Sequence, residues 1–188
     1  PTAGPYIASF QLYFDQLKVF SERLFTAFGN TSYVDVAEVM GGEARTTQVL
    51  MRRSYRGGFN FDCVVGFDLM RPDDEKELYD YIRHTQPFIV VMAPQCTGLA
   101  GWGNFNAMMN PHAHQRSVQV SLHLGAICAK CAILQLEATP RRHFFAEQPA
   151  DSDLYQQPEW VYVAHIPGVT WVYMDMCMAG LVSTRGNP

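Results

Sequence analysis

Apolar positions recur in two rhythms along this chain of 188 residues, one helical and one of short strands. From Ala8 to Phe28, Phe10, Leu12, Phe14, Leu17, Phe20, Leu24, Phe25 and Phe28 recur at roughly helical spacing, with Asp15, Lys18, Glu22 and Arg23 between them and Gly29-Asn30 as a stop. The spacing predicts an amphipathic helix. Tyr33 to Met40 then reads as a strand, Gly41-Gly42 as a turn and Ala44 to Tyr55 as a helix. The pattern repeats: a strand over Phe61 to Leu69, a helix start at Arg71-Pro72-Asp73-Asp74, and Leu78, Tyr79 and Ile82 on one helix face within Glu75 to Arg83. Phe88 to Met92 is almost wholly apolar, as in a parallel strand buried on both faces. A polar, aromatic loop from Thr97 to His114 leads into a helix over Arg116 to Gln135, then a strand over His143 to Glu147, a turn-rich link and a last strand over Thr170 to Asp175. Alternating strands and helices with short links predict an α/β fold: a Rossmann-like, doubly wound, mostly parallel sheet with helices on both faces.

Composition narrows this picture. The length suits one domain, with residues 1–30 as an N-terminal helical segment and 31–188 as the α/β core, and neither repeats nor low-complexity tracts divide it. Hydrophobic residues at 48% and charged ones at 17% exclude a disordered chain, and no run of about 18 consecutive apolar residues predicts a membrane span. Fourteen basic against 18 acidic residues, a net charge of -4, exclude nucleic-acid binding by bulk charge, so such contacts are expected to be local. The five cysteines are odd in number and scattered, and the first residues lack a secretory signal pattern; both predict reduced thiols in an intracellular compartment.

In doubly wound sheets ligands sit at the carboxyl ends of the strands. Glu38 with Met40, Gly41 and Gly42, then Asp68, Cys96, and Glu147-Gln148-Pro149 each fall at the end of an expected strand. Glycines let the backbone turn tightly and approach a ligand, and an acid at the strand end accepts hydrogen bonds from an amine or hydroxyls. Asp62 or Asp68 could hold a ribose, or either could be a surface-turn acid. Neither a complete G-x-G-x-x-G nor a phosphate loop occurs. Cys96 follows the buried strand in a glycine-rich bend, as a nucleophile or as a small buried hydrophobe. Glu147 lies beyond two aromatics, where apolar walls would favour a carboxyl that holds its proton.

Taken in order, Glu38-Val-Met-Gly-Gly, Gly66-Phe-Asp68, Pro94-Gln-Cys96 with Trp102 downstream, and Phe145-Ala-Glu147-Gln-Pro149 resemble the S-adenosylmethionine-dependent DNA (cytosine-5) methyltransferases over Val34 to Pro149. The chain resembles still more closely a methyltransferase-like domain of retroelement-type polyproteins, through Asp175-Met-Cys177-Met-Ala-Gly180-Leu181. The resemblance implies S-adenosylmethionine as cofactor, lying against Glu38, Met40, Gly41, Gly42, Asp62, Asp68 and Pro94. It implies Cys96 as the nucleophile on cytosine C6 and Glu147 as the acid at N3, with DNA or RNA as partner. The alternative is the same fold retained without catalysis, as a nucleic-acid or protein-binding module.

Trp102, Arg141 and Arg142, with Phe105, Arg116 and His143, are candidates to stack on bases and pair with phosphates. His112, His114, Cys128 and Cys131 could in principle ligate zinc, but the cysteines sit one helical turn apart among core-like neighbours, and no metal is expected. The methionines, Trp160 and Trp171 read as packing residues.

Overall fold

The computed structural model describes residues 34–101 and 103–174. The expected helix over Ala8 to Phe28, Trp102, and the Asp175 to Leu181 segment lie outside the described residues.

Four strands, β1 (Val36–Val39), β2 (Gly57–Phe61), β3 (Ile89–Met92) and β4 (His143–Ala146), form a wholly parallel sheet in the order β2-β1-β3-β4. Parallel neighbours cannot be closed by tight turns, so helices carry the chain back each time. These are α1 (Arg45–Met51), α2 (Pro72–Thr85), and α3 (Gly103–Met109) followed by α4 (Pro111–Glu137); a short helix α5 (Pro158–His165) comes after β4. The architecture is the expected α/β class, a four-stranded all-parallel sheet compatible with a Rossmann-like fold. From β1 the chain steps outward to β2, then back across to β3, so strand order reverses between β1 and β3.

Alternation along the strands assigns the faces. Val39, Phe61, Val90 and Met92 join Leu78 and Ile82 of α2 and Ile127, Cys128, Ala129, Cys131 and Ala132 of α4 in one buried cluster. Each large apolar side chain so buried contributes about 1.5–3 kcal/mol. Glu38 and Asn60 point the other way, and α1 packs on that face against β1 and β2. Helix α2 has its start and stop written into it, with Pro72 at the first position, Asp73, Asp74 and Glu75 in the first turn and Arg83 and His84 in the last. Helix α4 is long and apolar enough by composition to cross a bilayer. Its buried Ile127, Cys128, Ala129, Cys131 and Ala132 pack in the sheet's core cluster, as those of a central helix do.

Three boundaries differ from the sequence reading, each for a local reason. β2 lies upstream of the expected Phe61–Leu69, because Gly57 and Gly58 are where neighbours come closest: a Cβ on Gly57 would meet Thr47 and Met51, and one on Gly58 would meet Tyr81 and Val34. Asp62 then accepts from the Val64 amide at 2.8 Å and starts a 3-10 turn, Cys63–Val65, which Gly66 closes at φ 95°. The expected loop from Thr97 to His114 holds α3 and the start of α4, where the Asn110 side chain accepts from Ala113 N at 3.1 Å ahead of Pro111. Thr170 to Met174 carries no regular secondary structure and pairs with no strand among the described residues.

The segment after β4 returns to α4 by a notch. Gly125, midway along α4, leaves room for the Leu154 side chain, and Trp160 donates its indole N–H to the Gly125 carbonyl at 3.0 Å.

Candidate functional site

Because every strand runs the same way, all four carboxyl ends open on one rim and all four amino ends on the other. The carboxyl rim collects the links Met40–Ala44, Asp62–Arg71, the stretch beyond Met92, and Glu147–Ser152.

At the end of β1 the backbone bends through Met40 (φ 58°), Gly41 and Gly42 (φ 57°). A side chain on Gly41 would put its Cβ 2.5 Å from Glu38 Oε2 and 3.0 Å from Asn60 Oδ1, so only glycine passes. Gly42 differs: its φ favours glycine, and nothing lies within 4 Å of where a Cβ would stand. The bend is laced to β2. Asn60 accepts from Gly41 N at 3.3 Å and donates to the Gly42 carbonyl at 2.8 Å, while Asp62 Oδ2 accepts from Gly42 N at 2.9 Å. Glu38, 2% exposed, accepts from Thr47 N at 2.6 Å through Oε1. Ala44, at the helix start, has no side chain to cap α1, so the strand's acid satisfies one of the orphan amides. Thr47 Oγ1 beside it is buried without a hydrogen-bond partner.

Of the two aspartates held open in the sequence, Asp62 stands at the strand end and Asp68 does not. Asp68 is exposed in the approach to α2, where it accepts from Met70 N at 3.0 Å and its own amide donates to Asp74 at 2.8 Å.

Beyond β3, Pro94 is buried and Cys96 is half-buried, its carbonyl accepting from Leu99 N at 2.9 Å. β4 lies beside β3 with Met92 paired to Ala146, and Glu147 N donates to the Met92 carbonyl at 3.0 Å. Cys96 and Glu147 therefore leave adjacent strands on the same rim. Gln148 ties their links together: its side-chain amide donates to the Pro94 carbonyl and its Oε1 accepts from Ser152 Oγ at 3.0 Å. Glu147 itself is exposed rather than walled by apolar groups, because Phe145, on which the expectation of a dry pocket leaned, turns outward at 51% exposure. The Glu147 carboxylate does act on its neighbour: burial first, and that charge second, push the Tyr155 hydroxyl up to about 12. Tyr155 donates to the Ala146 carbonyl at 3.3 Å and packs edge-on against Trp171.

A second thiol, Cys63, stands on the rim against Asp62 at 3.4 Å, and burial followed by that carboxylate pushes it up, away from the thiolate form a nucleophile needs. Cys128 and Cys131 are fully buried in α4, where burial raises both thiols, and the described residues hold no group of three metal-ligating side chains. Arg141 and Arg142 precede β4 and so belong to the opposite, amino rim. The sequence pattern places Gln148 at an expected strand end but gives it no role of its own, and Asn60 stands out only as a polar side chain interrupting Phe59 and Phe61.

No protein-family model, no curated protein and no solved structure matches this chain.

Proposed function

We propose that this chain is an S-adenosylmethionine-binding, methyltransferase-like domain that modifies cytosine C5 in nucleic acid through Cys96. The observation that carries the reading is the diglycine bend. It stands beside the point where strand order reverses, is held rigid by Glu38, Asn60 and Asp62, and leaves open space at Gly42. The open space at Gly42 suits a small ligand, and Gly41, Gly42, Glu38, Met40 and Asp62 would hold the cofactor there. Asp68 would act only from the outer edge of the site. S-adenosylmethionine supplies, when bound, an electrophilic methyl group.

The chain's own residues do the rest. The Cys96 sulfur, as thiolate, adds to C6 of the base, and the Glu147 carboxyl gives a proton to N3, which offsets the charge that develops and makes C5 nucleophilic. After methylation, loss of the C5 proton to a base expels the thiolate. Exposure of Glu147 leaves it open to solvent until a base covers it. A flipped or single-stranded cytosine is the form that reaches such a rim.

Calorimetric titration with S-adenosylmethionine tests the cofactor, and the absence of measurable heat sinks the reading. Incubation with a 5-fluorocytosine oligonucleotide and cofactor tests the chemistry: a covalent adduct is expected, lost in Cys96→Ser. One feature favours a second reading, a module that binds without catalysis. Gln95 separates Pro94 from Cys96, where the family has a Pro-Cys pair, and a one-residue shift is enough to misplace a nucleophile. Cofactor binding with no adduct on any strand form would select it.

A further inference from the structure

The parallel topology sorts charge between the two rims. The links that leave strands, 40–44, 62–71, 93–102 and 147–152, carry Glu43, Asp62, Asp68, Glu147 and Asp151 against Arg71 alone. The segments that enter strands, 34–35, 52–56, 86–88 and 138–142, carry Arg52, Arg53, Arg56, Arg141 and Arg142 against Asp35 alone. One end of the sheet is thus acidic and the other basic, although the chain as a whole is negative.

The single acid of the basic rim is occupied. Asp35 pairs with Arg56 through both carboxylate oxygens, at 3.2 and 3.3 Å. Arg52, Arg53 and Arg141 are exposed and have no ion pair among the described residues. Helix α1 ends by design here: Ser54 takes the left-handed conformation at φ 68°, and the Leu50 carbonyl accepts from both Arg53 N and Tyr55 N. The two arginines are therefore displayed on a fixed turn. Aromatic surface accompanies them, with Tyr55 53% and Phe88 46% exposed on the same rim.

We propose that this amino rim binds the backbone of single-stranded nucleic acid, with arginines on phosphates and Tyr55 and Phe88 available to bases. The choice of partner follows from residue type. All the rim cations are arginines, which fork onto phosphate oxygens, and exposed rings between them give the stacking surface that sequence-tolerant strand binders use. The scale agrees. Three strand spacings separate β2 from β4, roughly 14 Å, about the rise of four stacked nucleotides. The rim lies at the far end of the sheet from Cys96 and Glu147, so this surface holds a strand without touching the reacting base, and the inference stands whether or not methyl transfer occurs.

Fluorescence anisotropy with a labelled single-stranded oligonucleotide, on the full chain, tests it across a salt series. Arg52→Ala, Arg53→Ala and Arg141→Ala together should weaken binding about tenfold or more at low salt and flatten the slope of log K against log salt by about 2, at roughly 0.7 for each phosphate no longer neutralised. Tyr55→Ala should weaken it several-fold with the slope kept. Cys96→Ser and Glu147→Gln should bind as the parent does, even where they abolish the covalent adduct, so loss of chemistry and loss of this surface read out separately. An unchanged melting temperature establishes that the arginine variants fold. The inference is overturned by a parent that does not bind, by a triple variant with undiminished affinity and slope, by preference for duplex over single strand, or by binding to phosphatidylserine vesicles in place of the oligonucleotide.

Discussion

The two ends of the sheet are built from the same four strands and differ in what they leave facing solvent. At the carboxyl rim, side chains are spent on backbone: Glu38 on Thr47, Asn60 and Asp62 on the diglycine bend, Gln148 on Pro94. At the amino rim side chains hold backbone too, Asp35 on the Arg56 amide and Gln135 on the Pro87 and His143 carbonyls, and Arg52, Arg53 and Arg141 are left facing solvent. Both ends are tied down, and the difference lies in display: acids beside an open glycine at the first, arginines at the second. A ligand that needs fixed amides meets the first, and a polyanion that needs only charge meets the second.

That contrast can be broken by substitution, most severely at the diglycine. Gly41→Val should cost about 3 kcal/mol or prevent folding, because its Cβ runs into Glu38 and Asn60. Gly42→Ala, one residue on, meets only the backbone penalty of its left-handed conformation, about 1 kcal/mol. Urea denaturation of the pair measures the difference; equal costs would mean the bend is not laced as described. Asp62→Ala should come next, at about 2 kcal/mol, since it strands the amides of Gly42 and Val64.

On the amino rim the effects should be smaller and partly set by pH. Burial works against the Asp35 charge, but hydrogen bonds from the Arg56 side chain and amide outweigh it and hold the carboxyl below its ordinary 3.8. A lowered value means the folded state favours the ionised form, so this contribution is present above pH 3.8 and fades as pH falls through the lowered value. Asp35→Asn should remove that acid sensitivity and cost on the order of 1 kcal/mol at neutral pH, read from melts at a series of pH values. Arg52→Ala with Arg53→Ala should change stability by no more than about 0.5 kcal/mol. A large loss there would show that the turn depends on its arginines for its stability.

The strand cores and the helix α2 were legible because their residues obey periodicity: Ile89 to Met92 is continuously apolar, and Pro72 with three following acids announces a helix start. β2 was misplaced because its sequence, Gly-Gly-Phe-Asn-Phe, is chosen by close approach of Thr47, Met51 and Tyr81, and a two-glycine start carries no strand signal. For the same reason Asp68 was read at a strand end, while the strand stops at Phe61. The gathering of Cys96, Glu147 and the diglycine on one rim followed from parallel order alone. The exposure of Glu147 did not, since whether Phe145 points inward depends on a one-residue register that sequence leaves open. The role of Asn60, and the tie from Gln148 to Pro94, were not legible because bonds to backbone leave no spacing to read.

The keyed fit of Leu154 and Trp160 onto Gly125 bears on how this domain can be trimmed for study. A shortened version ending just after β4 would keep β1 to β4 yet uncover an apolar slot halfway along α4, and take from the Gly125 carbonyl the bond it accepts from Trp160. Such a truncation invites self-association through that slot, so workable boundaries run at least past His165.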